Sequence, residues 1–230
     1  MKRFWRAASV EEQGAGFTIL LDARPVKTPA RVALALPTRR LTEAIAAEWD
    51  AQKDTVDPRA RALTGLANAA IDRVAPDPAT FAAGLAQFGA SDLLYYRAER
   101  PRRLVEIQAA AWDPLLEWAR RRFDIDFVLG SGVMPVDQPE ATVRALGHAV
   151  ATYEPFRLAA LSPLVTVGGS LIAALALAEG VVARDAAWTA VTIDEQFQLD
   201  EWGSDAEAEK ALATRREDFE AGARLLELLS

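Results

Sequence analysis

The chain has 230 residues, 51% hydrophobic and 26% charged, with a net charge of −7. That composition can bury a sizeable core, and the acidic balance argues against a general nucleic-acid binder. With no cysteine and one histidine, His148, the chain excludes disulfides, cysteine nucleophiles, cysteine metal sites and histidine-rich metal sites.

The charge is uneven. Residues 1–61 carry 11 basic and 8 acidic side chains, net +3, whereas residues 194–230 carry 4 and 11, net −7. The acidic end is either a solvated helix face or a surface for a basic partner. The first residues, Met1-Lys-Arg-Phe-Trp-Arg6, lack the apolar core of a secretion signal.

Residues 4–36 read as β structure. A strand is predicted over Phe4–Val10, a turn at Gly14–Gly16, and a second strand over Phe17–Leu21. After a turn at 22–24, Pro25 and Pro29 bracket an edge piece or loop. A third strand is predicted over Arg31–Leu36, closed by Pro37. Three strands need a covering layer, and the helix predicted over 39–53, with Thr38 as its N-cap, is the nearest one. Its apolar stripe runs Leu41, Ile45, Trp49. Glu48 and Gln52 border that stripe, so they either reach past its edge to water or need partners.

The rest reads as helices over 61–75, from Asp77-Pro78 onward, over 101–123, 139–153, 163–178 and 184–202, and from a cap at Ser204 or Asp205 to about Leu229. Pro114 predicts a kink, or a restart capped by Asp113. The run Leu158–Ala178 is uncharged for 21 residues, yet Ser162-Pro163 and the glycines after it make it a buried core helix rather than a membrane span. The expected fold class is α+β. A small antiparallel β-rich N-terminal domain with one covering helix (1–58) precedes a larger all-helical C-terminal domain (59–230).

Few residues suggest chemistry. His148 has no nucleophile or carboxylate motif beside it. Thr166-Val-Gly-Gly-Ser170 lacks the pattern of a phosphate loop; its small residues let a neighbouring helix approach closely. The pairs Asp124/Asp126 and Asp54/Asp57 read as surface acids. In the helix over 184–202, Trp188, Val191, Thr192, Leu199 and Trp202 share one stripe, and Glu195 falls on it. Its carboxylate pairs internally with an arginine, sits at the stripe edge, or is presented in an apolar patch to a partner.

Four motifs then occur in order: Leu21-Asp-Ala-Arg-Pro-Val-Lys-Thr-Pro29, Glu48-Trp-Asp-Ala-Gln52, Leu63-Thr-Gly-Leu-Ala-Asn-Ala-Ala-Ile-Asp72, and Asp194-Glu-Gln-Phe-Gln-Leu-Asp-Glu-Trp-Gly203. Together they resemble the assembly-chaperone family for the α subunit of the ATP synthase catalytic head, over essentially the whole chain. Ala23 departs from the family's usual glycine, which puts a tight turn with positive φ in doubt. Arg61-Ala62 departs from its usual Met-Pro.

The resemblance implies a non-enzymatic chaperone without cofactor. It would bind the unassembled α subunit until the β subunit replaces it. The family's functional acid maps onto Glu195 in preference to Glu201. The partner-binding residues expected are Glu195, Trp188, Trp202, Glu201 and Asp194, with Glu48 and Trp49 contributing from the other domain or building the joint between domains. The expected protein is a monomer in the bacterial cytoplasm, its eukaryotic relatives working in the mitochondrial matrix. The alternatives are a carboxylate-dependent hydrolase with an interdomain cleft and a constitutive structural subunit.

Overall fold

The structure is a computed structural model that describes residues 2–132, 134–203 and 206–230. It is α+β, with a small antiparallel sheet near the N-terminus followed by helices. The chain forms two compact units, one of Met1–Pro78, Glu154–Ala160 and Arg224–Ser230, the other of Ala79–Tyr153 and Leu161–Ala223. The boundary read from composition falls at 55–62; the unit holding the sheet carries the chain on to Pro78.

In the first unit, β1 (Ala8–Gln13), β2 (Gly16–Leu21) and β3 (Arg24–Pro25) form an antiparallel meander, with Ala8 opposite Leu21 and Leu21 opposite Arg24. The β1 strand begins later than the predicted Phe4. The preceding residues are held differently: the Arg3 amide donates to the Asp54 carbonyl, and the amides of Arg6 and Ala7 donate to the Asp22 carboxylate. Those two amides hold the Asp22 carboxyl below its ordinary pKa.

The turn between β2 and β3 keeps the tight geometry in spite of Ala23. Asp22 and Ala23 have φ of 47° and 66°, the double left-handed arrangement of a hairpin turn. Aspartate tolerates that region; alanine pays a steric penalty there that glycine avoids. Ala23→Gly is therefore expected to raise stability by about 0.5–1 kcal/mol, measured as an increased urea midpoint with unchanged slope.

The third predicted strand, Arg31–Leu36, is not formed as one. Arg31 has φ of 65°, and the Ala35 amide turns back onto the Ala33 carbonyl. This segment forms isolated bridges, Lys27–Ala33 and Phe17–Leu36, in place of a ladder, with the buried Thr18 hydroxyl donating to the Leu34 carbonyl. A Cβ on Gly16 would lie 2.7 Å from the Leu36 carbonyl oxygen, so that approach requires glycine. Helix α1 (Arg39–Asp50) covers the sheet, capped by Thr38 as expected and burying Leu41, Ile45 and Trp49. Helix α2 (Ala62–Ala69) follows and widens into one π turn over Ala70–Val74.

The second unit holds α3 (Pro78–Ala86), α4 (Arg102–Phe123), α5 (Glu140–Ala151), α7 (Leu171–Ala178), α8 (Arg184–Val191), α9 (Ile193–Trp202), and parts of α6 (Pro155–Gly168) and α10 (Ala206–Leu228). A two-residue parallel pair, β4 (Tyr96–Arg97) with β5 (Gly130–Ser131), ties the loop after α4 to the chain before it. The α10 cap expected at Ser204 or Asp205 falls outside the described residues. The core gathers Trp112, Tyr95, Leu94, Leu116, Leu146 and Leu171, all fully buried.

Two helix predictions are corrected, and at a third site one of two alternatives falls. Helix α4 runs through Pro114, so the restart is excluded, and Asp113 bonds Arg97 at 2.7 Å instead of capping. The predicted helix over 163–178 is two helices. The first starts at Pro155, and the break lies at Gly169, with φ of 69°, and Ser170, whose hydroxyl caps α7. The predicted helix over 184–202 also divides, at Thr192, whose φ of −120° is not helical. The small residues at 168 do admit a close neighbour: a Cβ on Gly168 would come within 3.3 Å of Val191.

Candidate functional site

Helix α9 carries four acids, two aromatics and a leucine in ten residues, and the fold presents both its sides. On one side, α9 and the start of α10 bound a groove of about 310 Å³ lined by Glu195, Leu199, Trp202, Ala211, Leu212 and Arg215, among others. On the other, α4 and α9 bound a hollow of about 260 Å³ that includes Arg103, Ile107, Trp188 and Phe197.

The break at Thr192 decides what α9 shows. Trp188, before the break, is buried against Phe219 with ring centroids 5.3 Å apart. Trp202, at the end of α9, is 83% exposed. The single stripe that would have put both tryptophans on one face is therefore divided. Trp188 is core, and Trp202 is surface beside the groove.

Glu195 takes the first of its three possible fates. Its Oε1 accepts from Arg215 Nη1 at 2.5 Å, and Arg215 Nη2 also donates to the Val167 carbonyl at 3.0 Å. The pair is not buried: the two side chains are 43% and 37% exposed. Among the described residues, Glu195 Oε2 has no protein partner. Asp194 turns inward, accepting from the buried Gln108 at 2.6 Å; burial raises its pKa, the Gln108 hydrogen bond opposes that, and the neighbouring Glu195 charge adds to it. Glu201 pairs with Arg103 at 3.2 Å across the exposed end of α9.

Glu48 and Trp49 sit in the other unit and do not line this groove. Glu48 caps the following helix: its two carboxylate oxygens accept from the amides of Leu63 and Thr64 and from the Thr64 hydroxyl at 2.7–2.9 Å. That replaces the N-terminal cap that Arg61 does not supply. Trp49 is buried edge-on to Trp5, with the Arg61 guanidinium 4.5 Å from its ring centre. Gln52 is also partnered, donating to the Glu48 carbonyl and accepting from the Asp57 amide. Both polar residues flanking the α1 stripe are thus held within the protein rather than by water.

A larger hollow of about 610 Å³ lies at the end of α4, where Arg120 and Arg121 pair with Glu117 and Arg120 with Asp126. His148 is exposed on α5. No group of His, Asp or Glu able to hold a metal occurs among the described residues, and no helix among them is long and apolar enough to cross a membrane. Sequence reasoning missed Arg215, Gln108 and Arg103. For Arg215 the available signal was the Arg215-Arg216 pair that follows a strongly acidic stretch.

Comparison with known proteins gives a consistent result. The family model described as ATP12 chaperone protein matches residues 2–120. The mitochondrial protein atp12 of Schizosaccharomyces pombe is 25% identical over 215 residues, covering 88% of this chain and 74% of that protein. The crystal structure of Atp12 from Paracoccus denitrificans is 41% identical with a TM-score of 0.93, covering 100% of this chain and 98% of that one. A crystal structure from Agrobacterium tumefaciens is 40% identical with a TM-score of 0.94, covering 100% of this chain and 86% of that one.

Proposed function

The chain belongs to the ATP12 chaperone family, and from that premise we propose that it binds the unassembled α subunit of the ATP synthase catalytic head through the α9 surface. It is a chaperone of ATP synthase assembly. An unassembled subunit exposes the apolar surface that its neighbour later covers, and such patches drive aggregation. A chaperone has to mask that surface and then leave. The observation that carries the reading is Trp202, 83% exposed beside a groove whose wall holds a half-exposed carboxylate. A large aromatic left in water at the rim of a groove suits a transient anchor. Glu195 and Glu201 supply charge for register and discrimination. Glu48 and Trp49 support the fold of the sheet-bearing unit instead of touching the client, and Trp188 and Asp194 hold α9 from beneath.

In this reading the protein works as a monomer, without cofactor or catalysis, in the bacterial cytoplasm. The test is capture of α subunit by the tagged chain from cells before and after assembly. Capture of free α subunit alone is expected. Co-purification with the finished catalytic head would mark a constitutive subunit, and capture of no α subunit would defeat the proposal.

A further inference from the structure

The ion pair at the groove has an unusual economy. Glu195 uses one oxygen, and Arg215 reaches it with one nitrogen while its other terminal nitrogen is anchored on the Val167 carbonyl. Arginine and carboxylate commonly meet with two parallel hydrogen bonds. Here the second carboxylate oxygen has no protein partner among the described residues, and both side chains line the groove and stay partly exposed. The walls on either side are apolar, from Leu199, Trp202 and Leu212, while Ala208 and Ala211 keep that stretch of α10 low. The sequence of this stretch is acidic on balance: residues 193–216 hold seven acidic side chains and three basic.

Resting on the reading of this surface as the client site, we infer that the groove receives an apolar client segment carrying a lysine or arginine, and that Arg215 is the internal competitor which that cation displaces from Glu195. The acidic surroundings favour a cationic segment over a neutral or acidic one. The apolar walls need a client side chain to cover them. Once displaced, Arg215 keeps its hydrogen bond to Val167, so α10 does not lose its tie to the end of α6. Binding thus exchanges one exposed ion pair for another, and the exchange contributes register with little net affinity. The reverse exchange is always available, which lets the client leave without a separate trigger.

This assigns Arg215 an effect opposite to that of a structural residue. Arg215→Gln removes the competitor and leaves Glu195 open to the client, so the purified α subunit is expected to bind about threefold to tenfold more tightly, measured by surface-plasmon titration. The gain should vanish when Glu195→Gln is added. Should Arg215→Gln melt below the assay temperature, Arg215→Met, which keeps the aliphatic stem, carries the same expectation. Equal or weaker binding by a folded Arg215 variant overturns the competitor assignment while wild-type capture leaves the chaperone reading standing. Failure of the wild-type protein to bind α subunit overturns both.

Discussion

Glu195→Lys is expected to abolish capture of the α subunit, by more than about 100-fold, while the protein stays folded. The reason is geometric. Glu195 is half exposed in the groove wall beside Arg215, so a lysine there meets one protein cation and presents another to a basic client. Exposed ion pairs contribute only about 0.2–1 kcal/mol to stability, so the fold tolerates the exchange. Pull-down of α subunit and a thermal melt measure the two sides. A variant that still keeps the α subunit bound, or one that loses its melting transition, would remove Glu195 from the client site.

The largest expected loss of stability lies elsewhere, at Asp92. This carboxylate is fully buried and accepts from the amides of Leu94 and Ile172 at 3.0 Å, joining the turn before β4 to the start of α7. Asp92→Ala leaves those buried donors without an acceptor and is expected to cost about 3 kcal/mol, read from urea denaturation. The same residue gives a pH signature. Burial raises its pKa from the ordinary 3.8 to about 6, with the amides of Ile172 and Leu94 opposing the shift. The folded state therefore holds this proton more tightly than the unfolded chain, and the contribution of Asp92 to stability falls as pH rises from about 4 to about 6. The stability of wild type relative to Asp92→Asn should decline across that window by something on the order of 3 kcal/mol. A flat difference would show that Asp92 is not a buried, titrating acid.

Helix starts with local chemistry were legible in the sequence. Thr38 caps α1, Pro78 opens α3, and Gly180 ends the turn after α7 with φ of 72°. The breaks set by distant contacts were not. Thr192 carries no glycine or proline signal; the helix divides where the Trp112 indole donates to the Ala190 carbonyl and the Thr192 hydroxyl to the Trp188 carbonyl. That break, invisible to periodicity, is what separates buried Trp188 from exposed Trp202. Glu195 was legible as an anomaly on an apolar stripe. Its partner was not, because Arg215 lies on the next helix and only packing brings the two together.

The cap that Glu48 provides has a consequence for motion. The first amides of a helix are ordinarily the first to exchange with solvent, because they fray. Those of Leu63 and Thr64 are bonded to a side chain on α1, which itself lies over the sheet. Their hydrogens are released only when that carboxylate lets go. Opening of the N-terminal turn of α2 therefore requires release of a side chain that α1 supplies.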